Sequence, residues 1–200
     1  MAGDMSADAL WYFGRGTGVS ALTLFTLVVV LGLLVRSGWS SPALPRFVVS
    51  AVHRTTSLTA LGLLAVHVVT LLLDPYAQLR LVDLVVPFLG AYRPFWQGLG
   101  TLALDLVVLL VLSSLLRDRL GRRTWRALHW AAYLCWPAAL AHAVGNGTDG
   151  TSTWMLALVG GCVAAVGGAL TLRLRAARTS ETETQSVPAP VPPAYLAGLR

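Results

Sequence analysis

The residues able to do chemistry in this chain are four histidines, His53, His67, His129 and His142. All four fall inside long apolar segments. Ionisable groups are rare in such surroundings and usually serve a function there. His53 and His67 are fourteen residues apart, about 21 Å of helical rise, and return to within about 40° of one helix face. His129 and His142 are thirteen apart, about 19.5 Å of rise. Two parallel helices carrying these pairs set His53 level with His129, and His67 level with His142. Thirteen residues of ideal helix leave the second pair roughly 140° apart in phase. Pro137 lies between them and is expected to kink the helix and change its winding.

Two histidines at one depth, facing two more about 20 Å away, make two separate two-ligand sites. A zinc or copper ion wants three or four ligands gathered round one point. Haem iron, already held by four porphyrin nitrogens, lacks only two axial ligands. The pattern therefore points to two b-type haems, each clamped by two imidazoles, a ligation that favours electron transfer over oxygen binding. A haem-free membrane scaffold, or a metal transporter, using the histidines as polar contacts between helices is the alternative. Cys135 and Cys162 sit in apolar runs and form no CxxC or CxxCH motif, so packing is their expected role.

The elements that must position these side chains are transmembrane helices. Of the 200 residues, 56% are hydrophobic and 12% charged, against about 25% charged in a soluble domain. Uncharged runs of roughly 20 residues recur, enough to cross about 30 Å of hydrocarbon. Five crossings are expected in an all-α bundle: Gly16–Val35, Phe47–Leu73, Pro94–Leu116, Thr124–Val144 and Thr153–Leu172. Residues Tyr76 to Tyr92, interrupted by Arg80, Asp83 and Pro87, read as a surface-lying segment. The net charge of +6 does not indicate nucleic acid, because the basic residues sit at the ends of apolar segments. All are arginine, and with the N-terminus outside, eleven fall in inside regions and three in outside ones. The positive-inside rule then gives an N-out, C-in protein. Residues 1–15 form an extracytoplasmic N-terminus, acidic where a signal peptide would be basic. Residues 16–175 form the transmembrane bundle. Residues 176–200, polar and then proline-rich, are expected to be a disordered cytoplasmic tail.

The segments HRTTSLTALGLLAVH and HWAAYLCWPAALAH resemble the paired-histidine helices of the ferric reductase-like transmembrane family, over roughly residues 10 to 175. That family includes the membrane domains of ferric reductases and NADPH oxidases, and the haem subunit of the bacterial periplasmic methionine sulfoxide reductase. The resemblance implies axial ligation by His53, His67, His129 and His142, and electron flow outward from a cytoplasmic donor. Ferric reductases and NADPH oxidases carry a flavin- and nicotinamide-binding unit after the last span, whereas the segment here is a short tail. The expected role is thus an electron-transfer subunit of the plasma membrane. Its partners would be a separate cytoplasmic flavoprotein reductase or quinol on one side and an extracytoplasmic acceptor on the other.

Other residues are placed around this frame. Arg54, next to His53, is a candidate partner for a propionate of the inner haem, or an arginine reaching to the interface. Arg93 and Arg80 are candidates at the outer haem's edge, or interfacial anchors. Asp105, mid-membrane, is expected either to orient a histidine through its second ring nitrogen or to bridge helices. By resemblance to related oxidases Trp136 would lie between the haems, with ordinary packing as the alternative. The GRGTG run at Gly14 to Gly18 follows no strand, so it is not read as a nucleotide loop. The arginine-rich stretch Arg117 to Arg126 is the natural docking surface for an acidic donor.

Overall fold

The computed structural model describes residues 2–37 and 45–186, with side chains over 9–36 and 45–178. Among them there are six α-helices and no strand: α1 (Ala2–Ser37), α2 (Arg46–Leu73), α3 (Pro94–Leu115), α4 (Arg117–His129), α5 (Ala132–Asn146) and α6 (Thr153–Ser186). Four contain uninterrupted apolar stretches of spanning length: Ala9–Arg36, Arg46–Leu73, Pro94–Leu115 and Thr153–Arg178. Their outward side chains are apolar, with Phe47 75%, Val69 53% and Leu172 61% exposed. An exterior of that kind is stable only against lipid. The protein is a multi-pass membrane protein.

Sequence punctuation sets the helix ends. Pro45 is extended ahead of α2, and Asp74 closes it in extended conformation before Pro75, as the residue before a proline must. Pro94 opens α3 behind Arg93, which adopts φ 41°. The segment between α2 and α3 does not cross. It folds into turns and a 3-10 helix, Leu81–Leu84. Asp83, 2% exposed, pins it down. Its carboxylate accepts from the Arg80 backbone at 3.0 Å and from the Arg80 guanidinium at 2.8 Å, while its carbonyl accepts from Thr101 Oγ1 at 2.6 Å. The Arg80 hydrogen bonds hold the Asp83 carboxyl below the usual carboxylate range.

The fifth segment departs from the expected continuous helix over 124–144. It is built from α4 and α5, and α4 is itself interrupted at Gly121 (φ 75°, ψ 158°). Alone, the 15 residues of α5 rise only about 22 Å. The tail expected from residue 176 is helical through Ser186, and residues 187–200 lie outside the described residues.

Packing divides the bundle into two halves. α1 lies against α2, α3 against α5, and α6 against α1. Ala103, Val107, Cys135 and Ala138 form the buried seam between α3 and α5. Both cysteines are buried and unbonded. The histidine-bearing elements, α2 on one side and α4 with α5 on the other, make no substantial contact across the bundle. A space is left between them.

Candidate functional site

Three of the four histidines are seated in the same way. His67 Nδ1 lies 2.7 Å from the Gly14 carbonyl, His53 Nδ1 3.1 Å from the Val28 carbonyl, and His142 Nδ1 2.8 Å from the Trp96 carbonyl. Four residues after each accepting carbonyl comes a glycine: Gly18, Gly32 and Gly100. A Cβ on Gly18 would stand 2.8 Å from the His67 ring, one on Gly32 3.5 Å from His53, and one on Gly100 2.6 Å from His142. The reason lies in helix geometry. A side chain leans back over the turn N-terminal to its own Cα, so residue i+4 normally covers carbonyl i. Glycine leaves that carbonyl open, and its second lone pair accepts the imidazole without breaking the helix. Gly18 and Gly32 are fourteen residues apart, matching His53 and His67 across an antiparallel contact.

Each carbonyl can only accept, so Nδ1 carries the proton in these three rings. The lone pair is therefore on Nε2, the free nitrogen. Fixing the outer nitrogen in this way sets tautomer and ring orientation and raises ligand basicity, as it does for histidines bound to metals.

His129 differs. Its ring stacks on Trp125 at 5.0 Å, and its Nδ1 is buried without a hydrogen-bond partner among the described residues. Fourteen residues on from Trp96 and Gly100 stand Leu110 and Ser114. The Leu110 carbonyl accepts from the Ser113 hydroxyl at 3.0 Å, and a serine occupies the place of the glycine. The seat is not repeated there.

The phase of His129 against His142 is corrected by overwinding, upstream of Pro137. The backbone N–H groups of Trp130, Ala131, Tyr133 and Leu134 each bond the carbonyl three residues back, and Trp130 and Ala131 have ψ near −20° (−19° and −22°). Winding at 3.0 residues per turn adds about 20° per residue over the α-helix. Four such residues recover about 80° of the missing 140°. α5 runs on through Pro137. The proline, lacking an N–H, cannot bond the Tyr133 carbonyl one turn back; the tighter winding lies before that turn, over residues 127–134.

All four histidines face one cavity of about 1240 Å³ between α2 and α5, larger than the roughly 300–1,000 Å³ of a single small-ligand pocket. His53 is an electrostatic neighbour of His129, and His67 of His142, which is the pairing by depth expected from the spacings. The Trp136 indole also lines the cavity. It donates to Thr26 Oγ1 at 3.0 Å, and Thr26 lies on α1 between the seats of the two pairs. Every buried polar side-chain atom left without a partner among the described residues belongs to a residue lining this cavity: Trp125 Nε1, His129 Nδ1, Asp74 Oδ2 and Asn146 Oδ1. The indole donor and the His129 ring nitrogen are near the His53 end, and the two carbonyl-type acceptors are near the His67 end.

The arginines sort differently from expectation. Arg54 lines the cavity, and so do Arg36 and Arg126 at the same end; Arg36 also lies over the Trp130 ring at 4.9 Å. Arg93 does not line it. Its guanidinium donates to the Gly145 carbonyl at 2.7 Å, tying the start of α3 to the end of α5. Arg80 is committed to Asp83 and the Leu89 carbonyl. At that end the arginine on the cavity wall is Arg15, which pairs with Asp149 and Thr148. Asp105 is not on the cavity wall and reaches no histidine; backbone carbonyls do the orienting instead. The GRGTG run is helical, and its first and last glycines form the seat of His67.

The geometry is thus a large cavity within a membrane-protein bundle, faced by four imidazoles, three of them held through Nδ1. The family profile of the ferric reductase like transmembrane component matches residues 17–140. The chain belongs to that family, whose members commonly bind haem and whose general role is electron transfer across membranes. The match contains His53, His67 and His129 and stops two residues short of His142. No curated protein and no solved structure matches the chain.

The glycine seats give a prediction with a sign. Gly100→Ala and Gly18→Ala force a Cβ against a hydrogen-bonded ring and should destabilise by about 1–3 kcal/mol. Gly160→Ala, with nothing within 4 Å, should be neutral or stabilising by roughly 0.5–1 kcal/mol, since alanine suits a helix better. Thermal unfolding of the purified variants checks this, and equal effects at the three positions would remove the seat from the account.

Proposed function

We propose that the chain conducts electrons across the plasma membrane through two non-covalent haems b, one between His53 and His129 and one between His67 and His142. The observation that carries this reading is the seating of three imidazoles with Nδ1 within hydrogen-bond distance of a backbone carbonyl. Three imidazoles hold their Nδ1 protons on backbone carbonyls and present Nε2 to one shared cavity. Haem, when bound, supplies one-electron exchange between ferric and ferrous iron, and two axial imidazoles leave it no open position. The chain's own part is to orient the ligands, exclude water and balance charge. Arg36, Arg54 and Arg126 bring positive charge to the His53 end, where they suit carboxylates such as propionates. Trp136 sets an aromatic ring at mid-depth between the pairs. Among the described residues no three His, Cys, Asp or Glu side chains gather as a bare-ion site.

The pairing is testable by substitution. His53→Ala and His129→Ala should remove the same redox transition, and His67→Ala and His142→Ala the other. Potentiometric titration of the four variants, followed in the visible spectrum, should sort them into those two groups. Sorting by helix, with His53 grouped with His67, would contradict the depth pairing.

With an N-out, C-in orientation, the His53 end faces the cytoplasm and the donor is a separate flavoprotein reductase or quinol, with an acceptor outside. Arg117, Arg119, Arg122 and Arg123 are exposed on α4, the helix that ends at His129. Docking surface and ligand thus share one element. A flavoprotein donor should reduce the protein at a rate that falls with ionic strength. Arg122→Ala with Arg123→Ala should slow it several-fold, and stopped-flow reduction measures this. A rate indifferent to both salt and substitution would exclude the α4 surface.

A further inference from the structure

The His67 end of the cavity holds a carboxylate oxygen that the bundle itself does not use. Asp74 is 2% exposed. Its Oδ1 accepts the Tyr76 backbone N–H at 2.9 Å and so closes α2. Its Oδ2 is buried, lines the cavity and has no partner among the described residues. Asp74 is seven residues beyond His67, about 10.5 Å along the helix. Asn146, at the end of α5, brings a second unpartnered oxygen to the same cavity. An acceptor buried without a donor is costly, so these atoms call for a ligand that donates.

The surroundings narrow the ligand's class. Arg15 and Asp149 form an ion pair and largely cancel each other, which leaves Asp74 as the uncompensated charge. Four aromatic residues, Trp11, Tyr76, Tyr92 and Trp154, line the cavity at this end; Trp11 and Tyr92 already carry Arg15 and Arg93 over their rings, which leaves Tyr76 and Trp154. Aromatic faces attract cations, and organic ammonium groups above all. Magnesium or calcium would want about six oxygen ligands, far more than are offered. An anion would meet Asp74 directly.

We propose that this end of the cavity is a binding site for an organic ammonium compound, its N–H groups on Asp74 Oδ2 and the Asn146 amide and its charge against Tyr76 and Trp154. The site is built from the ends of α1, α2 and α5, the start of α6 and the turn after α2, so it does not depend on the haem reading. Where both hold, the ligand is the neighbour of the His67 and His142 pair on the side away from Trp136.

The full chain, purified in a non-ionic detergent, is titrated calorimetrically with butylammonium, tetramethylammonium and butyrate. Butylammonium should bind saturably, tetramethylammonium more weakly for want of N–H donors, and butyrate not at all. Asp74→Asn keeps an oxygen for the Tyr76 N–H but replaces Oδ2 with a donor, and should weaken butylammonium about tenfold or more. Asn146→Asp adds a carboxylate and should tighten it. Unchanged affinity in both variants, or binding of butyrate as strong as that of butylammonium, would overturn the site. Haem content measured on the same preparations distinguishes a lost ligand from a lost haem.

Discussion

Orienting an imidazole inside a bilayer is the constraint on which the rest of this structure depends. No water is available to accept the Nδ1 proton, and every carbonyl within a helix already accepts a backbone N–H. The second lone pair of such a carbonyl is the one acceptor always present, and it is normally covered by the side chain a turn later. Glycine uncovers it. Gly18 and Gly100 therefore help to set the histidine orientations, since a Cβ at either would stand under 3 Å from the ring, whereas one at Gly32 would make an ordinary contact at 3.5 Å. The device also fixes which helices must be neighbours: α1 packs on α2 because Gly14 and Val28 hold its two histidines, and α3 on α5 through Trp96 and His142.

Once α1 and α3 hold the histidine helices from outside, α2 and α5 are kept apart and their free nitrogens face a common space. Its two ends are chemically opposite. Arginines, the unmatched Trp125 indole and the unmatched His129 ring nitrogen gather at the His53 end, while unmatched acceptors gather near His67 and His142. His129 is the one ligand candidate without a carbonyl. It relies on Trp125 for its orientation and leaves its Nδ1 for a group the protein does not supply. A ligand with a less basic imidazole favours the ferrous state relative to one with a carbonyl-bonded partner.

Much of this was legible in the sequence. Long apolar runs gave the α2 and α3 spans nearly to the residue, because lipid enforces length and Pro45, Pro75 and Pro94 punctuate the ends. Apolar content gave the all-helical bundle, and the Asp83 and Pro87 interruptions correctly removed residues 76–92 from the crossings. The pairing of His53 with His129 followed from rise per residue alone. The overwound joint was not legible at its true place, since Pro137 drew attention to itself while the tighter winding lies over residues 127–134. For Arg93 and Asp105 two roles were left open, because depth says nothing about which way a side chain turns round its helix; neither lines the cavity. The glycine seats were missed, yet their signal was present: Gly18 and Gly32 repeat the spacing of His53 and His67.

The central claim is that two level pairs of histidines each hold one haem. The most direct measurement is haem stoichiometry by pyridine haemochrome, taken with low-temperature electron paramagnetic resonance of the oxidised protein after expression with ample haem. The account predicts two haems b per chain, both low-spin and six-coordinate, with distinguishable signals because only one pair has both imidazoles on carbonyls. One haem per chain, a high-spin signal from either, or no haem at all would contradict it.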